Sequence, residues 1–195
     1  MPIRDTVLKM LKATFGEEAN VRAWYTNVAA RIAAAAGDDA VQELVIAIAR
    51  DVDPYAFGIF LEDPRVHELV LRHRFAHGPL REAPIAVHPE QGMVGFVFRH
   101  GVPLVVHDVE RDPRYLRGPL ANAKSALAVP IHSKGKTIGA LDIESDNAWA
   151  FDDVDIRAIT ALADALGTAM GSRSTHRPTS EPVNTRAARG VTKVL

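Results

Sequence analysis

GMVGFVFRHGVPLVVHDVERDPRYLRGPLANAKSALAVPIHSKGKTIGALDIES, residues 92–145, is the stretch whose reading decides the fold. Gly92 and Gly95 open a short helix over Glu90–His100, and Pro103–Val106 follows as an apolar strand. Ser125–His132 and Thr137–Glu144 predict two further strands, joined by the glycine-containing connection Ser133-Lys134-Gly135-Lys136 as a hairpin. Between the strands, Val106–Lys124 is polar and irregular. Unstructured connections seldom exceed about 12–15 residues. A longer one between two firm strands predicts a wall or lid over a concavity.

Working outward, the chain upstream predicts helices and then strands. Ile3, Val7, Leu11 and Phe15 form one stripe that predicts an N-terminal helix within residues 1–19. Val21–Ala36 predicts a second helix, with Val21, Trp24, Tyr25, Val28, Ile32 and Ala35 at helical spacing and Gly37 as its C′ residue. A third starts at Asp38 or Asp39, where Asp39 and Gln42 make a capping-box-like pair ahead of Val41, Leu44, Val45 and Ile48. Pro54 marks a change of period. Alternation then predicts strands at Tyr55–Leu61 and His67–Phe75 around an Asp63-Pro64-Arg65 turn, with a short strand at Ile85–His88. Downstream, Asp153–Met170 predicts a helix with Asp152 as N-cap, Asp155 at N3, a Phe151–Ile156 staple, and a stripe of Ile156, Ile159, Leu162, Leu166 and Met170.

Composition excludes several function classes. With no cysteine, this chain has no disulfide, thiolate metal site or thiol chemistry. A net charge of −1 gives no general attraction to nucleic acid. No apolar run reaches the ~18–20 residues of a membrane span, and the N-terminus lacks a signal-peptide pattern, so a cytoplasmic location is expected. Residues 172–195 are rich in Ser, Thr, Pro and Arg, with five cationic residues against Glu181, and are expected to be a disordered basic tail.

Taken together, these elements describe one α+β domain. Gly92-Met-Val-Gly95, Gly101-Val-Pro103, Asp108-Val109, Asp112-Pro113-Arg114-Tyr115, Lys124-Ser125-Ala-Leu127, Val129-Pro130-Ile131, Ile138-Gly139, Leu141–Ser145 and Phe151-Asp152 occur in an order that resembles a GAF domain, a sensor and regulatory module related to PAS. The resemblance spans about residues 20–171. It implies an antiparallel sheet of five or six strands with helices on one face and, on the other, a cavity covered by the 106–124 loop. It also implies a small polar ligand, dimerisation through the terminal helices, and a separate signalling protein to carry the output. Gly139–Ser145 and Phe151-Asp152 are similar to one enzymatic branch, the free methionine-R-sulfoxide reductases. Val94 and Pro119 stand where that branch has its active cysteines, and Ala126 where it has one carboxylate, while Asp142 and Glu144 match. Without a thiolate its reaction has no nucleophile here.

The expected ligand contacts are Val94, Phe96, Tyr115, Lys124, Leu127, Asp142 and Glu144. Asp142 and Glu144, two apart on a strand, share one side. Facing the cavity they would repel each other and favour a proton or a cation; facing solvent they would be ordinary. Asp108 and Asp112 are read as holding the loop's own backbone, and Arg114 as a possible fork donor. Gly92 and Gly95 serve either capping and close packing or ligand room. The cofactor is left unknown. Haem is allowed only by the family. A cyclic nucleotide is suggested by Asn122, Lys124, Phe151 and Asp155, which partly echo the family's NKFDE pattern, although Ile156 breaks it. The eight histidines show no metal-ligand spacing. The expectation is a non-catalytic sensor. An interaction or scaffold domain without ligand, or a cysteine-less relative of the reductases, are the alternatives.

Overall fold

In the computed structural model, residues 18–52, 54–77, 86–116 and 122–171 are described. The expected N-terminal helix, the basic tail and Pro119 lie outside them. Helices α1 (Glu18–Ala34) and α2 (Asp38–Ala47), with a π-turn at Ile48–Val52, precede strands β1 (Ala56–Asp63), β2 (Glu68–Ala76) and β3 (Ala86–Val87). Then come α3 (Gly92–His100), β4 (Leu104–Val106), β5 (Ser125–Ser133), β6 (Lys136–Ser145) and α4 (Asp153–Gly171). The six strands form one antiparallel sheet in the order β3-β2-β1-β6-β5-β4.

Local chemistry explains the junctions. Ser133 pairs with Lys136, so β5 and β6 are joined by two residues, Lys134 at φ 50° and Gly135 at φ 77°. Two successive positive φ values suit the right-handed twist of a hairpin. At the start of α4 the Asp152 carboxylate accepts from the N–H groups of Val154 (2.8 Å) and Asp155 (3.1 Å), and the Asp155 carboxylate accepts from the N–H of Asp152 (2.9 Å). This is the reciprocal capping box with aspartate in the glutamate role, and it accounts for the burial of Asp155. Asp152→Ala is expected to cost about 1 kcal/mol of stability, read as a lower urea midpoint. An unchanged midpoint would mean that the freed N–H groups find other acceptors.

Alternation along the central strands splits the core in two. Phe57 and Ile59 of β1, Leu127, Val129 and Ile131 of β5, and Leu141 and Ile143 of β6 pack with α1, α2 and α4. Ala126 and Ala128 of β5 and Ala140 of β6 face the other way and pack with Met93, Val94 and Val97 of α3.

Several expectations are corrected by this arrangement. Helices do not all lie on one face: α3 covers the face opposite α1, α2 and α4. Leu127 points into the helix-side core, away from Asp142 and Glu144, and so leaves the set of candidate contacts. Val28 and Ile32 of α1 pack in one cluster with Ile159, Leu162 and Leu166 of α4, all 0–2% exposed, while Ala30, Ala33 and Ala34 of α1 are exposed and Ile156 and Met170 of α4 are partly buried. Asp39 and Gln42 form no capping box, because α2 begins one residue earlier with Gly37 as its N-cap and no side-chain cap bond. Gly37, at φ 58° and ψ −126°, is not in the left-handed helical conformation of a C′ residue.

Candidate functional site

The site is built on β6. Ala140, Asp142 and Glu144 alternate with the core residues Leu141 and Ile143 and therefore share the face covered by α3. Glu144 is 4% exposed, and Asp142 is partly buried. The cross-strand register surrounds them with very small residues. Asp142 lies between Gly58 of β1 and Ala128 of β5, and Glu144 between Ala56 and Ala126. The two carboxyls thus rise, about 7 Å apart along the strand, from a floor of alanine and glycine. Sequence reasoning missed this floor, because pairing register is the only signal that brings residues 56, 58, 126 and 128 to one place.

Above the floor, α3 contributes apolar side chains. Val94 is buried, while Phe96 is half-buried at the margin of the same cluster. The helix sits close because Gly95 lacks a side chain: a Cβ there would be 2.4 Å from the Pro89 carbonyl oxygen. Close packing, rather than ligand room, explains that glycine.

Residues 107, 109 and 124 of the loop are tied to the sheet around this site. The Val109 N–H donates to the Lys124 carbonyl (3.0 Å), the Lys124 N–H to Ser145 (2.8 Å), and the Trp149 N–H to His107 (3.1 Å). From the loop, the Tyr115 hydroxyl donates to Glu144 Oε1 at 3.0 Å. Asp108 and Asp112 do hold their own loop, accepting from the N–H groups of Glu110 and Arg114. The Arg114 guanidinium makes its fork with Asp112 and lies 5.4 Å from the Phe96 ring centre, which holds the Asp112 carboxyl below its usual range. Lys124, placed by alternation on the Ala126 side at the strand end, is exposed. The structure therefore brings together Val94, Tyr115, Asp142 and Glu144, sets Phe96 and Lys124 at the rim, and removes Leu127.

Electrostatically the floor is an uncompensated acidic pair. Among the described residues no lysine, arginine or histidine forms an ion pair with either carboxylate, and Glu144 Oε2 is buried without a hydrogen-bond partner. Burial raises the Asp142 carboxyl well above its ordinary range, and the neighbouring Glu144 charge raises it further. Burial pushes Glu144 up to about 6, against the Tyr115 hydrogen bond, which favours the charged form. The arrangement sets two carboxyl groups on one face of the sheet, Glu144 buried and Asp142 partly buried.

Other candidates lead elsewhere. Asp155 of the NKFDE-like set is engaged in the capping box, and Phe151 packs against the helix-side core. Among the described residues no group of three or more His, Asp or Glu side chains could hold a metal ion, and no helix is long and apolar enough to cross a membrane.

Comparison with known proteins gives a consistent family. The GAF domain family model matches residues 35–171. The chain is 30% identical over 109 residues to GAF domain-containing protein A of Dictyostelium discoideum, covering 56% of this chain and 65%, less than two thirds, of that protein. Among solved structures, it is similar to the free methionine-R-sulfoxide reductase of Neisseria meningitidis, crystallised with its substrate (TM-score 0.71, 22% identity, 81% of this chain and 93% of that one). It is also similar to the GAF domain of an Acinetobacter phosphoenolpyruvate-protein phosphotransferase (TM-score 0.64, 17% identity, 76% and 91%). At these identities the structures speak for the fold alone.

Proposed function

The chain belongs to the GAF domain family, and from that premise we propose that it is a non-catalytic sensor domain whose ligand is a small molecule carrying a cationic, amine-like group. One observation carries this reading: Asp142, partly buried, and Glu144, buried, are set among alanine and glycine beneath α3, and among the described residues no cation forms an ion pair with either. A structural role would call for a pairing lysine or arginine, since unpaired buried charge is costly. A catalytic role of the sulfoxide-reductase kind would call for a thiolate, and this chain has no cysteine. Tyr115 links an occupied floor to the loop, and through the loop to whatever protein reads the signal.

The test uses three four-carbon probes of similar size: n-butylammonium, n-butanol and butyrate. The cation is expected to bind, seen by calorimetry and as a raised melting temperature, while the alcohol binds at least tenfold more weakly and the anion not at all. The Asp142→Asn/Glu144→Gln double variant should lose the preference. Equal response to all three probes would overturn the reading and favour the alternative of an interaction domain without ligand, for which the Tyr115–Glu144 hydrogen bond would be simply a closed contact.

A further inference from the structure

We infer that the empty site stores one proton on the Asp142–Glu144 pair and that a cationic ligand must expel it to bind, so that ligand capture is coupled to pH. The inference rests on the sensor reading above and adds its regulation. Charge balance motivates it. With one carboxyl protonated, the empty floor carries a single negative charge. When an alkylammonium enters and the proton leaves to solvent, two carboxylates face one cation, and the net charge of the recess is again −1. Exchanging one cation for another avoids ever leaving two bare charges side by side in a poorly hydrated place, which is the costly state.

Among the described residues the surroundings supply no other neutralising group. Facing the pair from β5 are Ala126 and Ala128, and from β1 Ala56 and Gly58. From α3 come Met93, Val94 and Val97, with Arg99 and His100 of that helix exposed. On β2, Arg74 lies across Gly58 on the same row of the sheet but is exposed. Lys124 at the strand end is exposed too, and Arg114 is engaged by Asp112. None of these cations forms an ion pair with Asp142 or Glu144 among the described residues. Tyr115 offers a hydroxyl proton, not a charge, to Glu144 Oε1. That donation favours an ionised Glu144, while the unpartnered Oε2 faces the interior. This asymmetry leaves Asp142 as the principal holder of the stored proton.

The experiment is a carbon-13 titration of the side-chain carboxyls in the whole unliganded protein, assigned with Asp142→Asn and Glu144→Gln, followed by n-butylammonium affinity at pH 5, 6, 7 and 8. The inference expects both carboxyls to titrate well above the ordinary range, with Glu144 near 6, and the Asp142 midpoint to fall in Glu144→Gln. It also expects butylammonium affinity to rise with pH from pH 5 to pH 8, by up to about tenfold per pH unit while the stored proton is still bound, as the release of one proton requires. Tyr115→Phe, which keeps the ring and removes the donor, should move the Glu144 midpoint further up. Carboxyl midpoints near 4 would overturn the inference whatever the amine does. High midpoints with an affinity independent of pH would overturn the expulsion step. High midpoints with no amine binding at any pH would overturn the sensor reading, and the coupling with it.

Discussion

Asp142→Asn and Glu144→Gln should each leave the empty protein more stable than the parent chain at pH 8, although both remove a polar group from the centre of the site. The sign follows from linkage. Each carboxyl holds its proton more tightly in the folded protein than in the unfolded chain, because burial disfavours the charged form. The pair's contribution to stability is therefore fully present below the ordinary carboxyl range, at about pH 4, and is lost as pH rises through the folded values. For Glu144 the rise from 4.5 to about 6 corresponds to about 2 kcal/mol at 1.36 kcal/mol per unit. An amide never ionises, so the advantage of Glu144→Gln should be near zero at pH 4, grow between about pH 4.5 and 6, and level off above. Its side-chain oxygen still accepts from Tyr115, which keeps the loop contact in both proteins. For Asp142→Asn the gain should set in at higher pH, since both burial and the Glu144 charge act on that group. Urea unfolding at pH 4, 6 and 8 provides the check. A pH-independent difference, or a loss at pH 8, would mean that the floor is hydrated and that the carboxylates bear no cost. Stability gained where ligand binding is lost is the expected mark of residues kept for function.

How much of this could be read from the residues alone varies with the physics involved. The β5–β6 turn was legible because Gly135 between two apolar runs specifies a tight hairpin, and the α4 start because Asp152 and Asp155 sit three apart before an apolar stripe. The pairing of Asp142 with Glu144 on one face followed from alternation in β6, where polar and apolar residues differ. The same logic failed for Leu127. Residues 125–131 of β5 are buried on both faces, so no polarity marks which side each points to, and only the register against β6 shows that Ala126, not Leu127, neighbours Glu144. The side taken by α3 was equally hidden: a helix with buried Met93, Val94 and Val97 can cover either face of a sheet. The stripes of α1 and α4 show that an apolar helix face predicts burial but not its partner, which here is the other helix of the same chain.

The largest loss of stability is expected from the smallest change in the chain, Gly167→Ala in the middle of α4. Taken by itself the substitution should help, since alanine is favoured over glycine by about 1 kcal/mol inside a helix. Its surroundings reverse the sign. A Cβ on Gly167 would stand 1.9 Å from the carbonyl oxygen of His132, 2.7 Å from its carbonyl carbon and 3.1 Å from its amide nitrogen. All three are backbone atoms of β5, whose ladder with β6 fixes them in place through the His132–Thr137 and Ile131–Gly139 pairings. No rotamer change can relieve such a contact, so the helix has to move away by more than 1 Å. Leu162, Ala163 and Leu166, all 0% exposed, sit on the same helix against the sheet, and lifting it withdraws them from close packing. Overpacking of a core typically costs 1–3 kcal/mol, occasionally more; with rigid backbone on one side and a whole helix on the other, about 3 kcal/mol or more is expected. Urea unfolding should show it as a much lower midpoint, and the α4 amides, together with those of β5, should lose hydrogen-exchange protection. Gly167→Ala that matched or exceeded the parent in stability would mean that α4 does not rest on the β5 backbone, and the helix-side core as described would be wrong.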